Sequence, residues 1–226
     1  ESILEICRSV FQASAVDFSD LSLLGVSVGP GSFTGIRTAI GTAEGLAAGL
    51  HLPIYGIALP LAIAVFAAQD GSRGTIAVSS PANPNEDFAA WYRIDSADSA
   101  AKTLTITPLT PIVSIQKGFL QSSPAALLAA EFRYGEPPAP SESAVTLIES
   151  ESFFTGRGLT PAAVIGVAVS AISSGQSAVA VISMKGEDSQ LQYLPPGPDS
   201  SAAISALYGK PVNAKTLIER GKAIAL

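Results

Sequence analysis

The chain has 226 residues, 47% of them hydrophobic and only 14% charged, with a single cysteine. This balance excludes a disordered chain, which needs low hydrophobicity and high charge, and one cysteine cannot form an internal disulfide. With 13 Lys+Arg against 19 Asp+Glu and a net charge of -6, a basic nucleic-acid-binding face is disfavoured too. Soluble domains average about 25% charged residues. A surface this short of charge points to a partner or a membrane.

The spacing predicts a helix over residues 1–15. Ile3, Cys7, Val10 and Ser14 share one stripe, Leu4 and Phe11 lie beside it, and Glu5, Arg8, Ser9 and Gln12 take the wet side. No capping residue is expected before it, and the start at Glu1 suggests a missing upstream segment. Cys7 reads as a core residue. No secretory signal pattern opens the chain, and a lone cysteine agrees with a reducing compartment, so a cytoplasmic protein is expected.

Residues 17–20 make a turn, LSLLGVSV over 21–28 reads as a buried strand, and GPGSFTG over 29–35 leads into a helix over 36–50. Strand, glycine-rich turn and helix form half of a βαβ unit and argue for an α/β layer architecture. Gly29, Gly31 and Gly35 permit backbone conformations closed to other residues, Pro30 stiffens the turn, and Ser32 or Thr34 can cap the helix. The glycine spacing fits neither the P-loop nor the dinucleotide-binding pattern. Anion binding at the helix N-terminus stands as the alternative to a plain structural turn.

The helix has two unlike stripes. Ile36, Ala39, Ile40, Ala43, Leu46, Ala47 and Leu50 can lie on a sheet, while Thr38, Gly41, Thr42, Gly45, Ala48 and Gly49 form the opposite face. Interior glycine costs about 1 kcal/mol relative to alanine. Three of them at four-residue spacing are expensive unless something packs closely there, nearer than the usual helix separation of about 8–10 Å. Either another helix of this chain, such as 1–15, or a helix of a second protein fits that description.

Two uncharged windows, 45–69 and 158–184, invite a membrane reading. Pro53 and Pro60 cut the first into helix end, strand and new helix. The second divides into an apolar helix, a polar turn and the strand-like 178–182, so no membrane span is expected. Between them, Thr75–Ser79, Phe88–Ile94 and Leu104–Thr107 read as strands of a meander, 123–133 as a short helix and 136–140 as a surface loop. Residues 212–220 read as a capped amphipathic helix.

Candidate catalytic groups are few. His51, the only histidine, ends the second helix and suits its last carbonyls; a Ser32–His51 dyad is the catalytic alternative. One histidine and one cysteine cannot build a His/Cys zinc site. Glu149 and Glu151 flank Ser150 as a solvated turn, and Trp91 and Tyr92 read as core and edge. Arg37 serves either a surface salt bridge or the orientation of a partner. No catalytic, cofactor or metal residue is assigned.

Gly29-Pro30-Gly31-Ser32-Phe33-Thr34-Gly35-Ile36-Arg37, followed by Gly41, Ala43, Gly45, Leu46 and Ala47, closely resembles the signature of the TsaB (YeaZ-like) family of bacterial tRNA threonylcarbamoyladenosine biosynthesis proteins. Gln192-Tyr193-Leu194-Pro195-Pro196 is similar to that family's closing segment, with Pro195 where an arginine is usual. The strong match is confined to the early segments, and the remainder agrees mainly in layout.

The resemblance implies an α/β, actin-like (ASKHA, ribonuclease H-like), two-lobed fold. It divides the chain into the rest of an N-terminal lobe (1–66), a C-terminal lobe (67–196) and an added extension (197–226). It also implies a non-catalytic scaffold that pairs with a TsaD-like subunit, works with a TsaE-like ATPase and meets tRNA only indirectly. Pairing in the family is helix on helix, which puts Ile3, Cys7, Val10, Ser32, Phe33, Thr34, Arg37, Thr38, Gly41, Thr42, Gly45, Ala48 and Gly49 at the interface, with a homodimer through the same helices as an alternative. The family's opening Asp-Thr-Ser strand is absent, so the first lobe is expected to lack strands and expose a sheet edge. An actin-like-fold enzyme, nucleotide-hydrolysing or glycoprotease-like, is the competing function.

Overall fold

The first helix, α1 (Ile3–Ser14), is capped, contrary to the sequence reading. Ser2 Oγ accepts the Glu5 N–H at 3.3 Å and the Glu5 carboxylate accepts the Ser2 N–H at 2.7 Å, a capping box. The Ser2 backbone N–H first, and the Ser2 hydroxyl after it, hold the Glu5 carboxyl below its ordinary range. The molecule is described from a computed structural model, over residues 2–97, 103–122, 145–173, 179–181, 189–196 and 203–207. No residue of α1 is buried. Ile3, Cys7 and Phe11, four apart, are half-buried on its inner side, and Phe11 meets Phe18 of the following turn with ring centres 4.2 Å apart. Cys7 is therefore no core residue: α1 lies on the surface of the fold.

The first sheet has the order β1-β2-β9. Strands β1 (Leu24–Ser27) and β2 (Ile54–Ile57) run parallel, joined by the crossover helix α2 (Phe33–Leu50), and β9 (Leu191–Leu194) adds antiparallel to β2. Alternation along the strands assigns the two faces. Gly25 turns towards α6 (Pro161–Ser173), where a Cβ would lie 3.1 Å from Val169 Cγ2. Val26 and its register partner Gly56 turn to the other face, where α2 lies. Among the described residues, β1 pairs only on its β2 side.

The second sheet runs β7-β3-β4-β5-β8, with β6 also on β4. Its strands are β3 (Gly74–Asn83), β4 (Glu86–Ala97), β5 (Thr103–Pro108), β6 (Val113–Gln116), β7 (Thr146–Glu149) and β8 (Val179–Val181). The meander β3-β4-β5 is antiparallel, while β7 joins β3 and β8 joins β5 in parallel. The three expected meander strands are present and longer at both ends, and β3 and β4 close through a two-residue turn at Pro84–Asn85.

Helix α3 (Leu59–Gln69) packs between this sheet and α6. Its residues Pro60 to Val65 are all buried, which is why it carries no charge and no polar stripe. Burying each of its Leu, Ile and Val side chains contributes about 1.5–3 kcal/mol. One core cluster runs from Val26 and Ile54 in the first sheet through α3 to Val78, Tyr92 and Ile106 in the second. Trp91 points the opposite way, into a smaller cluster with Ala77, Ala89, Leu109 and Leu120 beside α4 (Phe119–Ser122). Trp91 and Tyr92 are thus both core, and neither is an edge residue, since both faces of the sheet are covered.

Glu149 and Ser150 are the junction of β7 with α5 (Ser150–Arg157), not a solvated turn; Ser150 is buried. The uncharged windows resolve as expected into the end of α2, β2 and α3, and into α6 and β8. No single helix among the described residues is long and apolar enough to cross a membrane. The helix expected at 123–133, the loop at 136–140, the turn at 174–177 and the helix at 212–220 lie outside the described residues.

Candidate partner interface

The turn before α2 is built from its own backbone. Gly29 has φ +120°, its N–H reaches Ser27 Oγ at 3.3 Å and its carbonyl accepts the Leu59 N–H at 2.9 Å. A Cβ there would overlap the carbonyl oxygen of Leu207, so both conformation and space demand glycine. Ser32 is the N-cap: its Oγ accepts the Gly35 N–H at 3.4 Å and its carbonyl the Ile36 N–H at 2.9 Å. The helix therefore starts at Phe33, three residues before the apolar spacing begins. The Gly29, Gly35 and Ile36 N–H groups are thus bonded inside the turn, in keeping with the structural reading of GPGSFTG.

Ile36, Ile40 and Ala47 bury the inner side of α2, with Ala39 and Ala43 packed against the same core. Among the described residues, nothing covers the outer side. A Cβ on Gly41, Gly45 or Gly49 would meet nothing within 4 Å, and Thr38 and Ala48 are exposed beside them. The reading in which another helix of this chain covers the face is corrected for the described residues. Helix α1 touches α2 but leaves the glycines open.

Of the other expected interface residues, Ser32, Thr34 and Arg37 are exposed and Thr42 half-buried. Ile3 and Cys7 sit on the inner side of α1. Val10 (59% exposed) and Phe33 (44%) stand out from the surface, and so do Leu4 (54%) and Ile6 (48%). Ile6 is the residue that the sequence reading overlooked: it falls between the marked stripes of α1, and only its exposure draws notice. The Arg37 guanidinium stacks 4.6 Å from the centre of the Phe33 ring, a cation–π contact one helical turn long.

His51 occupies the C-cap of α2 with φ 55°, its backbone N–H donating to Ala47. Ser32 caps the other end, about 27 Å away at 1.5 Å per residue. The structure thus separates the two members of the hypothetical dyad. Among the described residues, no three His, Cys, Asp or Glu side chains gather as a metal site.

Residues 1–75 match the family model described as TsaD: tRNA N6-adenosine threonylcarbamoyltransferase. The chain is 32% identical over 95 residues to the tRNA threonylcarbamoyladenosine biosynthesis protein TsaB of Escherichia coli, a match covering 42% of this chain and 41% of that protein. It is 42% identical over 55 residues to TsaB of Buchnera aphidicola subsp. Schizaphis graminum, covering 24% of this chain and 26% of that one. The matches thus span less than half the length of these relatives. Among solved structures, YeaZ from Pseudomonas aeruginosa superposes with a TM-score of 0.51 at 17% identity, covering 77% of this chain and 76% of that chain, and so shares its mixed α/β fold. In the segments that match, the chain is thus similar to TsaB proteins, and in its fold to YeaZ.

Proposed function

We propose that this protein is a non-catalytic scaffold that pairs, through the outer faces of α1 and α2, with a TsaD-like subunit during threonylcarbamoyladenosine formation on tRNA. The observation that carries it is the open glycine face: a Cβ on Gly41, Gly45 or Gly49 would meet nothing within 4 Å among the described residues, in a helix otherwise anchored on the core. Each forgoes about 1 kcal/mol of helix stability relative to alanine, which nothing inside the described chain recovers. A partner helix seated against the three glycines recovers it through close packing, with Leu4, Ile6, Val10 and Phe33 as apolar flanks.

Similarity to TsaB proteins and to the TsaD family model supports this choice of partner. Relatives carry the name of threonylcarbamoyladenosine biosynthesis, and the matching stretch includes all of α1 and α2. In this reading the two sheets with their helices are the lobes of an actin-like fold. A TsaE-like ATPase completes the machinery, tRNA contact is indirect, and the protein works in the cytoplasm without a cofactor of its own. Titration of the purified chain with the TsaD-like subunit of the same genome tests the pairing, by light scattering coupled to gel filtration. A one-to-one complex is expected. A homodimer that excludes the second subunit, or saturable binding of ATP by the chain alone, overturns it.

A further inference from the structure

Residues 203–207, AISAL, fall within what the sequence presents as an added extension, yet they are sewn to four other parts of the chain. The Ile204 N–H donates to Glu44 Oε1 of α2 at 2.9 Å. The Ser205 N–H donates to Gln192 Oε1 of β9 at 2.7 Å, and Gln192 Nε2 returns to the Ser205 carbonyl at 2.9 Å. The Leu207 N–H donates to the Val28 carbonyl, just past β1, at 2.7 Å. Below them, buried Ile204 fills the hollow over Gly56 on β2, where a Cβ would lie 2.7 Å from Ile204 Cγ2.

The segment therefore lies beside α2 on the same face of the first sheet. Glu44 and Arg37 are the only charged residues of α2. Glu44 links the helix sideways to its neighbour through the Ile204 N–H. A carboxylate that accepts a backbone N–H makes a charge-assisted bond, stronger than a neutral hydrogen bond and, unlike apolar packing, directional. Apolar contacts alone leave a helix free to slide or roll by small amounts. A face built of glycine is sensitive to such movement, because its contacts depend on close approach of backbone to backbone.

We propose that residues 203–207 are a splint that sets the pose of α2 on the sheet and thereby presents the outer glycine face, with Glu44 and Ile204 as its positioning residues. The consequence for pairing rests on the function proposed above; the splint itself does not. The test uses the full chain and three variants, Glu44→Ala, Glu44→Gln and Ile204→Ala. Amide exchange is followed by mass spectrometry in the absence of any partner. Peptides over 33–50 are expected to exchange at least about tenfold faster in Glu44→Ala and Ile204→Ala, with less change in Glu44→Gln, which keeps an acceptor; peptides over β3 and β4 stay protected. Unchanged protection of 33–50 in both alanine variants overturns the splint. Affinity for the TsaD-like subunit, measured on the same proteins, is expected to fall about tenfold in the alanine variants. If the wild-type chain fails to pair at all, the pairing reading falls alone, because the exchange result still decides the splint.

Discussion

The phenol of Tyr92 donates its hydrogen bond to the side-chain carbonyl of Gln190, joining the second sheet to the residue just before β9 of the first. Gln190 is itself buried. Its Nε2 donates to the Thr110 carbonyl at 3.2 Å and its own carbonyl accepts the Ala58 N–H at 2.8 Å, at the start of α3. One glutamine thus satisfies polar groups from both sheets across an otherwise apolar core. Burial also pushes the Tyr92 hydroxyl well above the ordinary tyrosine range, so it stays a donor throughout the neutral range.

Tyr92→Phe keeps the ring and removes the donor, leaving Gln190 Oε1 buried without that partner. A loss of about 1–3 kcal/mol is expected, measured by urea denaturation with an unchanged slope. A loss below about 0.3 kcal/mol would mean that the bond between the sheets contributes nothing to holding them.

The glycines of the turn and of the helix are expected to respond to alanine with opposite signs. Gly29→Ala forces a side chain into a left-handed backbone and against the Leu207 carbonyl, and should cost at least about 2 kcal/mol. Gly45→Ala adds a methyl group in open space on a helix and should stabilise the free chain by about 1 kcal/mol. Thermal melts of the two variants beside the wild type check both signs. A destabilising Gly45→Ala would show that something already packs on that face.

Acid should loosen the start of α1 before it affects the core. The Glu5 carboxyl titrates below its ordinary range in the folded chain, because Ser2 donates to the ionised form. A depressed folded value gives stability that is present above the unfolded value and lost as pH falls through the folded one. Exchange protection of the first turn of α1 should therefore drop below about pH 4, and Glu5→Gln should flatten that dependence. An equal pH response in Glu5→Gln would remove the capping box as its cause.

How much of this was legible in the sequence depends on the range of the interactions. The inner stripe of α2 is local: Ile36, Ile40 and Ala47 repeat at helical spacing, and the core takes them as expected. The signature turn is local as well, with Ser32 capping as proposed. Ser2 and Glu5, spaced as a capping box, were in plain view and were missed. FAAWY in β4 is a continuous apolar run rather than an alternating one, the mark of a strand covered on both faces. Reading Tyr92 as an edge residue overlooked it. Residues 203–207 carry no such signal: five uncharged residues whose partners, Glu44, Gln192 and Val28, are distant in sequence and recognisable only once the sheet is formed. The exposure of the glycine face likewise follows from what α1 does not cover, which no spacing rule reports.

The central claim is that the outer face of α2 is a pairing surface, and Gly45→Leu tests it most directly. The leucine enters open space in the free chain, so circular dichroism and the melting temperature should stay close to wild type. On a face that a partner helix must approach closely, the same side chain should weaken binding of the TsaD-like subunit by at least about 100-fold, through steric exclusion. A folded Gly45→Leu chain that still co-purifies with that subunit undiminished would contradict the account.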